Sequence, residues 1–264
     1  MIKFLFILPG LALHPLEFAY LKSARILENP GFYSPHSPEE FNSLPEKYSL
    51  EDVAEIQARI VSSSVKLNSK ITLVGFSMGG MILSIMATKY RHLLPKNTKF
   101  VFVNTSPNLK SNPVLTPEIL SQRKLSSESL PEFFSRTLQP FFSDRFIAEG
   151  QRYTEYVDYR ANPDVIMPVA EYVKQVEAIL AFDGESYYKK LNPSEVRFVF
   201  SEADKLIHQG HIDDTKRLVP GAEIEIVKGA GHMIHVEKPD VFKKKATQKR
   251  RSRLGSLCSR LFSR

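Results

Sequence analysis

The sequence predicts an α/β fold: a mainly parallel sheet flanked by helices, with a helical cap inserted between strands. Three observations carry that expectation. Short β-rich runs alternate with stretches of helical periodicity, as strand–helix crossovers require. Between Ser106 and about Leu191 the alternation stops and gives way to proline-punctuated helical stretches. At 264 residues the chain suits one large α/β domain, or one domain carrying a sizeable insertion.

Taken in order, Phe4–Leu8 reads as a buried strand closed by Pro9-Gly10. Leu50 to Val65 carries Val53, Ile56 and Ile60 at helical spacing, with Ser49 as candidate N-cap. Ile71–Val74 is a second buried strand, followed at once by a helix from Met78 to about Tyr90. Phe100–Val103, Val196–Phe200 and Glu223–Val227 complete five strands. In the interrupting stretch Pro107, Pro113, Pro117, Pro131, Pro140, Pro163 and Pro168 break up short helices, and Gly150 and Gly184 are its only glycines. Its last helix sets Val169, Tyr172, Val173, Val176 and Ile179 on one face. The expected organisation is a core of residues 1–105 and 192–242, a cap of 106–191 and a basic tail of 243–264.

Composition excludes several functional classes. Hydrophobic residues are 42% and charged residues 25%, enough for a packed core. No run of 18 uncharged apolar residues is present, so a spanning helix is not expected. The opening MIKFLFILPG lacks a small-residue cleavage site, so no secretory signal is expected either. One cysteine, Cys258, allows neither an internal disulfide nor a CxxC zinc site. A reducing, cytoplasmic setting is the expectation. The net charge of +7 sits in the tail, where Lys243 to Arg264 holds nine bases and no acid. The remaining body has 27 basic and 29 acidic residues, which gives no basic face for nucleic acid.

Chemistry concentrates at Gly75-Phe76-Ser77-Met78-Gly79-Gly80, between a strand and a helix. A sharp strand-to-helix turn strains the backbone at the serine and needs small residues two before and two after it. The turn aims the hydroxyl outward and leaves the Met78 N–H free at a helix N-terminus for an oxyanion. A serine nucleophile needs a base, and the base an orienting acid. Of seven histidines (His14, His36, His92, His208, His211, His232, His235), His232 follows Lys228-Gly229-Ala230-Gly231 just past the last strand. There the carboxyl ends of the strands gather a site, and small residues let the ring reach it. His235 lies where a helix should start and reads as structural. For the acid, the loop after Val196–Phe200 offers Glu202 and Asp204. Asp204 is favoured because it lies further past the strand, with Glu202 as the fallback. The loop after Phe100–Val103 offers only Asn104, Thr105 and Ser106.

The order Ser77…Asp204…His232 brings these residues to a family. The chain resembles the α/β-hydrolase superfamily in Gly75–Gly80, in Ser201-Glu202-Ala203-Asp204 and in Gly231-His232-Met233-Ile234-His235-Val236-Glu237-Lys238-Pro239. Among its capped members it is most similar to pimeloyl-carrier-protein methyl ester esterases and to enol-lactonases. The resemblance covers about residues 3–242. It implies a serine carboxylesterase with Ser77 as nucleophile, His232 as base and Asp204 as acid, working through an acyl-enzyme. It also implies that the N–H groups of Met78 and Leu11 bind the oxyanion, and that no metal or organic cofactor takes part. A thioesterase, a lactonase and a non-catalytic ligand-binding protein of the same fold stand as alternatives. The chain departs from the family in having Pro9-Gly10-Leu11 where His-Gly is usual. It keeps only part of a further stretch, as Asn29-Pro30-Gly31-Phe32-Tyr33-Ser34.

Weaker signals concern ligands and partners. Phe133, Phe134, Phe141 and Phe142, with Phe146, are candidates for lining an acyl pocket, the alternative being packing between cap and core. Arg136, Arg145, Arg152 and Arg160 are candidates for docking an acidic carrier protein, the alternative being a solvated face. His208-Gln209-Gly210-His211 with Asp213 has no specific metal spacing, and no phosphate-binding glycine motif is present. The expected partner is a small-molecule or carrier-bound acyl ester. In the tail Leu254, Leu257, Cys258, Leu261 and Phe262 form one helical stripe among arginines. It reads as an extension unrelated to catalysis or as a basic amphipathic helix resting on anionic membrane.

Overall fold

A computed structural model describes residues 3–32, 38–109 and 128–239. The tail, His36, Tyr33, Ser34, Pro113 and Pro117 lie outside these residues. Six parallel strands form one sheet in the order β2-β1-β3-β4-β5-β6. They are β1 (Lys3–Leu8), β2 (Ala24–Ile26), β3 (Lys70–Phe76), β4 (Asn97–Val103), β5 (Val196–Ser201) and β6 (Glu223–Val227). Five answer to the apolar runs. The sixth, β2, is three residues of mixed polarity, Ala-Arg-Ile, too short to show a pattern; its register is set by pairing Leu5 with Ala24 on β1.

The strand order fixes where a site forms. From β1 the chain steps outward to β2, then returns to place β3 on the other side of β1. The loops leaving β1 and β3 therefore diverge, and the crevice at their carboxyl ends is where such sheets bind ligands.

Side chains alternate across the sheet. Phe6, Leu8, Leu73, Phe100, Phe102, Phe198 and Phe200 enter one core with α1 (Leu50–Ser64), α2 (Met78–Met86) and Ile212 and Leu218 of a later helix. The N-cap of α1 is Ser49, in a capping box with Asp52. Every residue of α2 is buried. It stops short of Tyr90 because the Thr88 hydroxyl donates to the Ser84 carbonyl, which a continuing helix would give to the Thr88 N–H. That N–H turns to Ile85 instead.

Leu5, Ile7, Val74, Phe76, Val101, Val103 and Val199 face the second core. It is covered by helices inserted between β4 and β5: α3 (Leu130–Leu138), α4 (Asp144–Ala148), α5 (Gln151–Arg160) and α6 (Val169–Ala181). A short α7 (Glu185–Tyr188) leads into β5. After β5 come α8 (Gln209–Leu218) and, beyond β6, α9 (Ile234–Glu237).

A buried ion pair ties the inserted helices to the sheet. Glu17, on a single 3₁₀ turn after β1, accepts hydrogen bonds from Arg160 Nη1 and from the Tyr156 hydroxyl at 2.7 Å. Its Oε2 also meets His235 Nε2 of α9 at 3.2 Å. Burial alone would push the Glu17 carboxyl up. The Arg160 guanidinium, then His235 and Tyr156, outweigh it and hold the group down at about 2, against an ordinary 4.5. A depressed carboxylate contributes stability above its unfolded-state pKa, and that contribution is lost as pH falls from about 4.5 towards 2. Glu17→Gln leaves the Arg160 charge buried without its counterion. It is expected to lower the unfolding free energy at pH 7 by about 3–5 kcal/mol in urea titrations. The gap to the parent should narrow between pH 4.5 and 2. A loss below about 1 kcal/mol at pH 7 would show that the pair is not holding the helices down.

Candidate active site

The centre of the site is the turn between β3 and α2. Ser77 sits there with φ 53° and ψ −120°, and its N–H donates to Val103 O at 2.9 Å. The turn is tight enough to exclude side chains around it. A Cβ on Gly75 would lie 2.4 Å from Gly79 O, and one on Gly79 only 2.0 Å from Leu8 O. Gly80 is equally constrained, since its Cβ would meet Thr105 Cγ2 at 2.5 Å. The sequence pattern needed two small residues; the packing requires three.

His232 and Asp204 complete a hydrogen-bonded chain with the serine. His232 Nε2 lies 3.0 Å from Ser77 Oγ, and Nδ1 lies 2.8 Å from Asp204 Oδ2. All three residues are buried, with Ser77 9% exposed. The other carboxylate oxygen of Asp204 accepts the N–H groups of Leu206 and Ile207 at 2.8 and 2.9 Å. The acid is thus fixed by its own loop, with one oxygen left for the imidazole. Glu202 points elsewhere: its carboxylate accepts the Gly229 N–H at 2.9 Å on the surface. His235 joins Glu17 and stacks on Phe18, away from the serine.

Leu11 and Met78 both line the cavity beside Ser77. Met78 opens α2, where first-turn N–H groups have no partner within the helix. Gly10 brings the loop after β1 close, its Cβ position being 3.1 Å from Ser77 Cβ. Two side chains pin that loop. Asn29 Nδ2 donates to Pro9 O and Gly10 O, both at 3.1 Å. Gln175 of α6 accepts the Ala12 N–H at 3.3 Å and donates to Pro30 O at 2.7 Å.

The loop of His232 is pinned as firmly. Asn104, fully buried with φ 43°, donates to His232 O at 2.8 Å and to Ser201 Oγ at 3.0 Å. Its carbonyl accepts the Ser201 N–H at 2.9 Å. One amide therefore joins the loop of His232 to the strand that leads to Asp204. Glu237 accepts the N–H groups of Gly231 and Ser143 at 3.0 and 2.9 Å, fastening the same loop to the inserted helices. Sequence reasoning assigned no role to Asn29, Asn104, Gln175 or Glu237. The available signal was a polar residue directly after a core strand, as at Asn104; the others carry none.

The cavity measures about 110 Å³ and is mostly apolar. Phe134 and Phe141 line it, together with Leu109, Ile166, Met167 and Leu206. Phe133 and Phe142 do not: Phe133 packs edge-on against Phe134, and Phe142 stacks on Phe146 behind the wall. Their aromatic type signals burial, and the pocket wall takes only the faces that happen to front it. Three of the four arginines are engaged within the protein. Arg160 is buried on Glu17, Arg136 pairs with Glu128, and Arg152 pairs with Glu149 while donating to Val236 O. His208 caps α8 by accepting the Gly210 N–H at 3.2 Å. Among the described residues no group of three or more His, Cys, Asp or Glu side chains could hold a metal ion. No described helix is long and apolar enough to cross a membrane.

Comparison with known proteins places this geometry. The sequence model of the alpha/beta hydrolase family matches residues 5–244. A putative 2-succinyl-6-hydroxy-2,4-cyclohexadiene-1-carboxylate synthase of Bacillus subtilis is 25% identical over 201 residues, 74% of this chain and 69% of that protein. Bromoperoxidase from Bacillus anthracis superposes with a TM-score of 0.70 at 16% identity, covering 93% of this chain and 90% of that one. The enol-lactonase from Burkholderia xenovorans LB400 gives 0.68 at 16% identity over the same shares. At those identities the structural likeness is one of fold.

Proposed function

We propose that this chain, which belongs to the alpha/beta hydrolase family, is a serine hydrolase that cleaves carboxylic esters through an acyl-enzyme. The observation that carries the reading is the continuous chain from Ser77 Oγ through both nitrogens of His232 to Asp204, at 3.0 and 2.8 Å. Neither hydrogen bond needs the other residues to move, so the proton path is organised before substrate arrives.

Ser77 attacks the ester carbonyl carbon while His232 Nε2 takes the hydroxyl proton. Asp204 holds the ring with Nδ1–H towards its carboxylate and stabilises the imidazolium that forms. The carbonyl oxygen becomes an oxyanion, which the N–H groups of Met78 and Leu11 receive. Collapse expels the alcohol, protonated by His232, and leaves an acyl group on Ser77. Water then repeats the sequence and releases the acid. The apolar cavity takes the acyl chain, free or carrier-borne, against Phe134, Phe141, Met167 and Leu206. A thioester or lactone would pass through the same steps, and a panel of acyl substrates separates them.

Ser77→Ala is expected to lower ester hydrolysis at least about 10³-fold, with His232→Ala matching it because the members act as a unit. Asp204→Asn should cost about 10²–10⁴-fold, whereas Glu202→Gln stays within about threefold. Steady-state rates on a short-chain nitrophenyl ester decide it, and a harmful Glu202→Gln beside a harmless Asp204→Asn would reassign the acid.

Asn104 acts by position. Asn104→Ala should lower kcat about tenfold to hundredfold by loosening the imidazole, with KM changing less than threefold. An equal loss in KM with kcat intact would place its role in substrate binding.

A further inference from the structure

Arg160 lines the cavity beside Ser77 although its charge is already balanced. Its guanidinium carbon lies 6.0 Å from the ring centre of Phe134, another wall residue. Nη1 is committed to Glu17, while Nε is buried and has no hydrogen-bond partner among the described residues. The residue is 93% buried, since 7% of it is exposed. Among the described residues, the polar side chains on the wall apart from Ser77 and His232 are Arg160, Tyr172 and Thr137, and the Thr137 hydroxyl is spent on Phe133 O.

Nη2 makes no hydrogen bond among the described residues and, unlike Nε, is not a fully enclosed atom, so an acceptor in the cavity can meet it. The charge on that occupant is restricted. Glu17 lies wholly inside, where Tyr156 and His235 also bond to it, and it already neutralises Arg160. A substrate carboxylate would set a second anion on the same guanidinium in apolar surroundings, and among the described residues no lysine or further arginine lines the wall. A neutral acceptor meets Nη2 without that cost.

We propose that Arg160 determines specificity by donating to a neutral hydrogen-bond acceptor, a ketone, ester or amide carbonyl, carried on the acyl chain. This rests on the reading of Ser77 as nucleophile only for the direction in which the ester lies. The substrate class is then an oxo-acyl or similarly substituted ester, rather than a plain fatty ester or a half-ester of a dicarboxylic acid.

Binding tests this separately from catalysis. Calorimetric Kd values are measured on Ser77→Ala for methyl hexanoate, methyl 5-oxohexanoate and monomethyl glutarate. A second set two methylenes longer (methyl octanoate, methyl 7-oxooctanoate, monomethyl pimelate) covers the choice of chain length. In at least one set the oxo ester should bind about tenfold more tightly than the methyl-ended ester, and more tightly than the carboxylate. Adding Glu17→Gln and Arg160→Met together removes both charges, leaves neither unpaired, and should bring the oxo advantage within about twofold. If that variant does not fold, the ranking on Ser77→Ala alone decides. Equal affinities, no binding of the oxo esters, or tightest binding by the carboxylates overturns the proposal. Turnover of the same esters by the parent protein separates the two readings. An oxo preference without turnover sinks the esterase assignment alone, and turnover without that preference sinks only the role of Arg160.

Discussion

Everything at the site depends on how closely the start of α2 approaches the sheet. Gly79 rests on the carbonyl of Leu8 so tightly that a methyl group would stand 2.0 Å from the oxygen. Gly75 and Gly80 allow the chain to reverse within that space. The reversal holds Ser77 in a left-handed conformation that L-residues rarely adopt. That strain is offset by burying α2 along its whole length beneath the sheet. Because β1 and β3 are neighbours at the switch in strand order, the same contact brings the loop after β1 beside the serine.

Buried amides and carboxylates then fix the loops that the sheet only gathers. Asn29 and Gln175 hold the loop of Leu11, Asn104 holds the loop of His232 to β5, and two backbone N–H groups hold Asp204. Each is fully enclosed, so each bond acts in low dielectric and is expensive to leave unmade. The inserted helices are fastened by the same means, through Arg160 on Glu17 and through Ser143 on Glu237. Gln175 and Glu237 make the geometry of the loops of Leu11 and His232 depend on how those helices dock. The cavity wall and the alignment of Ser77, His232 and Asp204 are therefore mechanically connected.

Much of this was legible in the residues. Gly75–Gly80 shows a turn because only glycine tolerates those contacts, and the strands β1, β3, β4, β5 and β6 show as apolar runs. Ser77, His232 and Asp204, singled out by loop position, meet in one chain. What escaped is what depends on long-range partners. The edge strand β2 has three residues and no pattern, and α2 ends early because a threonine hydroxyl competes for a carbonyl. Asn104 looks like any polar residue after a strand until its bonds 97 and 128 positions away are seen. Arg160 reads as surface charge, since nothing local announces that Glu17, 143 positions earlier, will bury it. Phe133 and Phe142 show the converse: aromatic type marks an interior residue without saying whether it fronts the cavity.

The central claim is that the fold presents one serine activated by a buried imidazole. Covalent trapping tests it most directly. The full chain is treated with an equimolar fluorophosphonate at pH 8, and the mass increase is followed and located by peptide mapping. The account predicts one phosphonyl group per chain, on Ser77, with labelling at least about 10²-fold slower in His232→Ala. Labelling at another residue, or a rate on Ser77 that ignores the loss of His232, would contradict it.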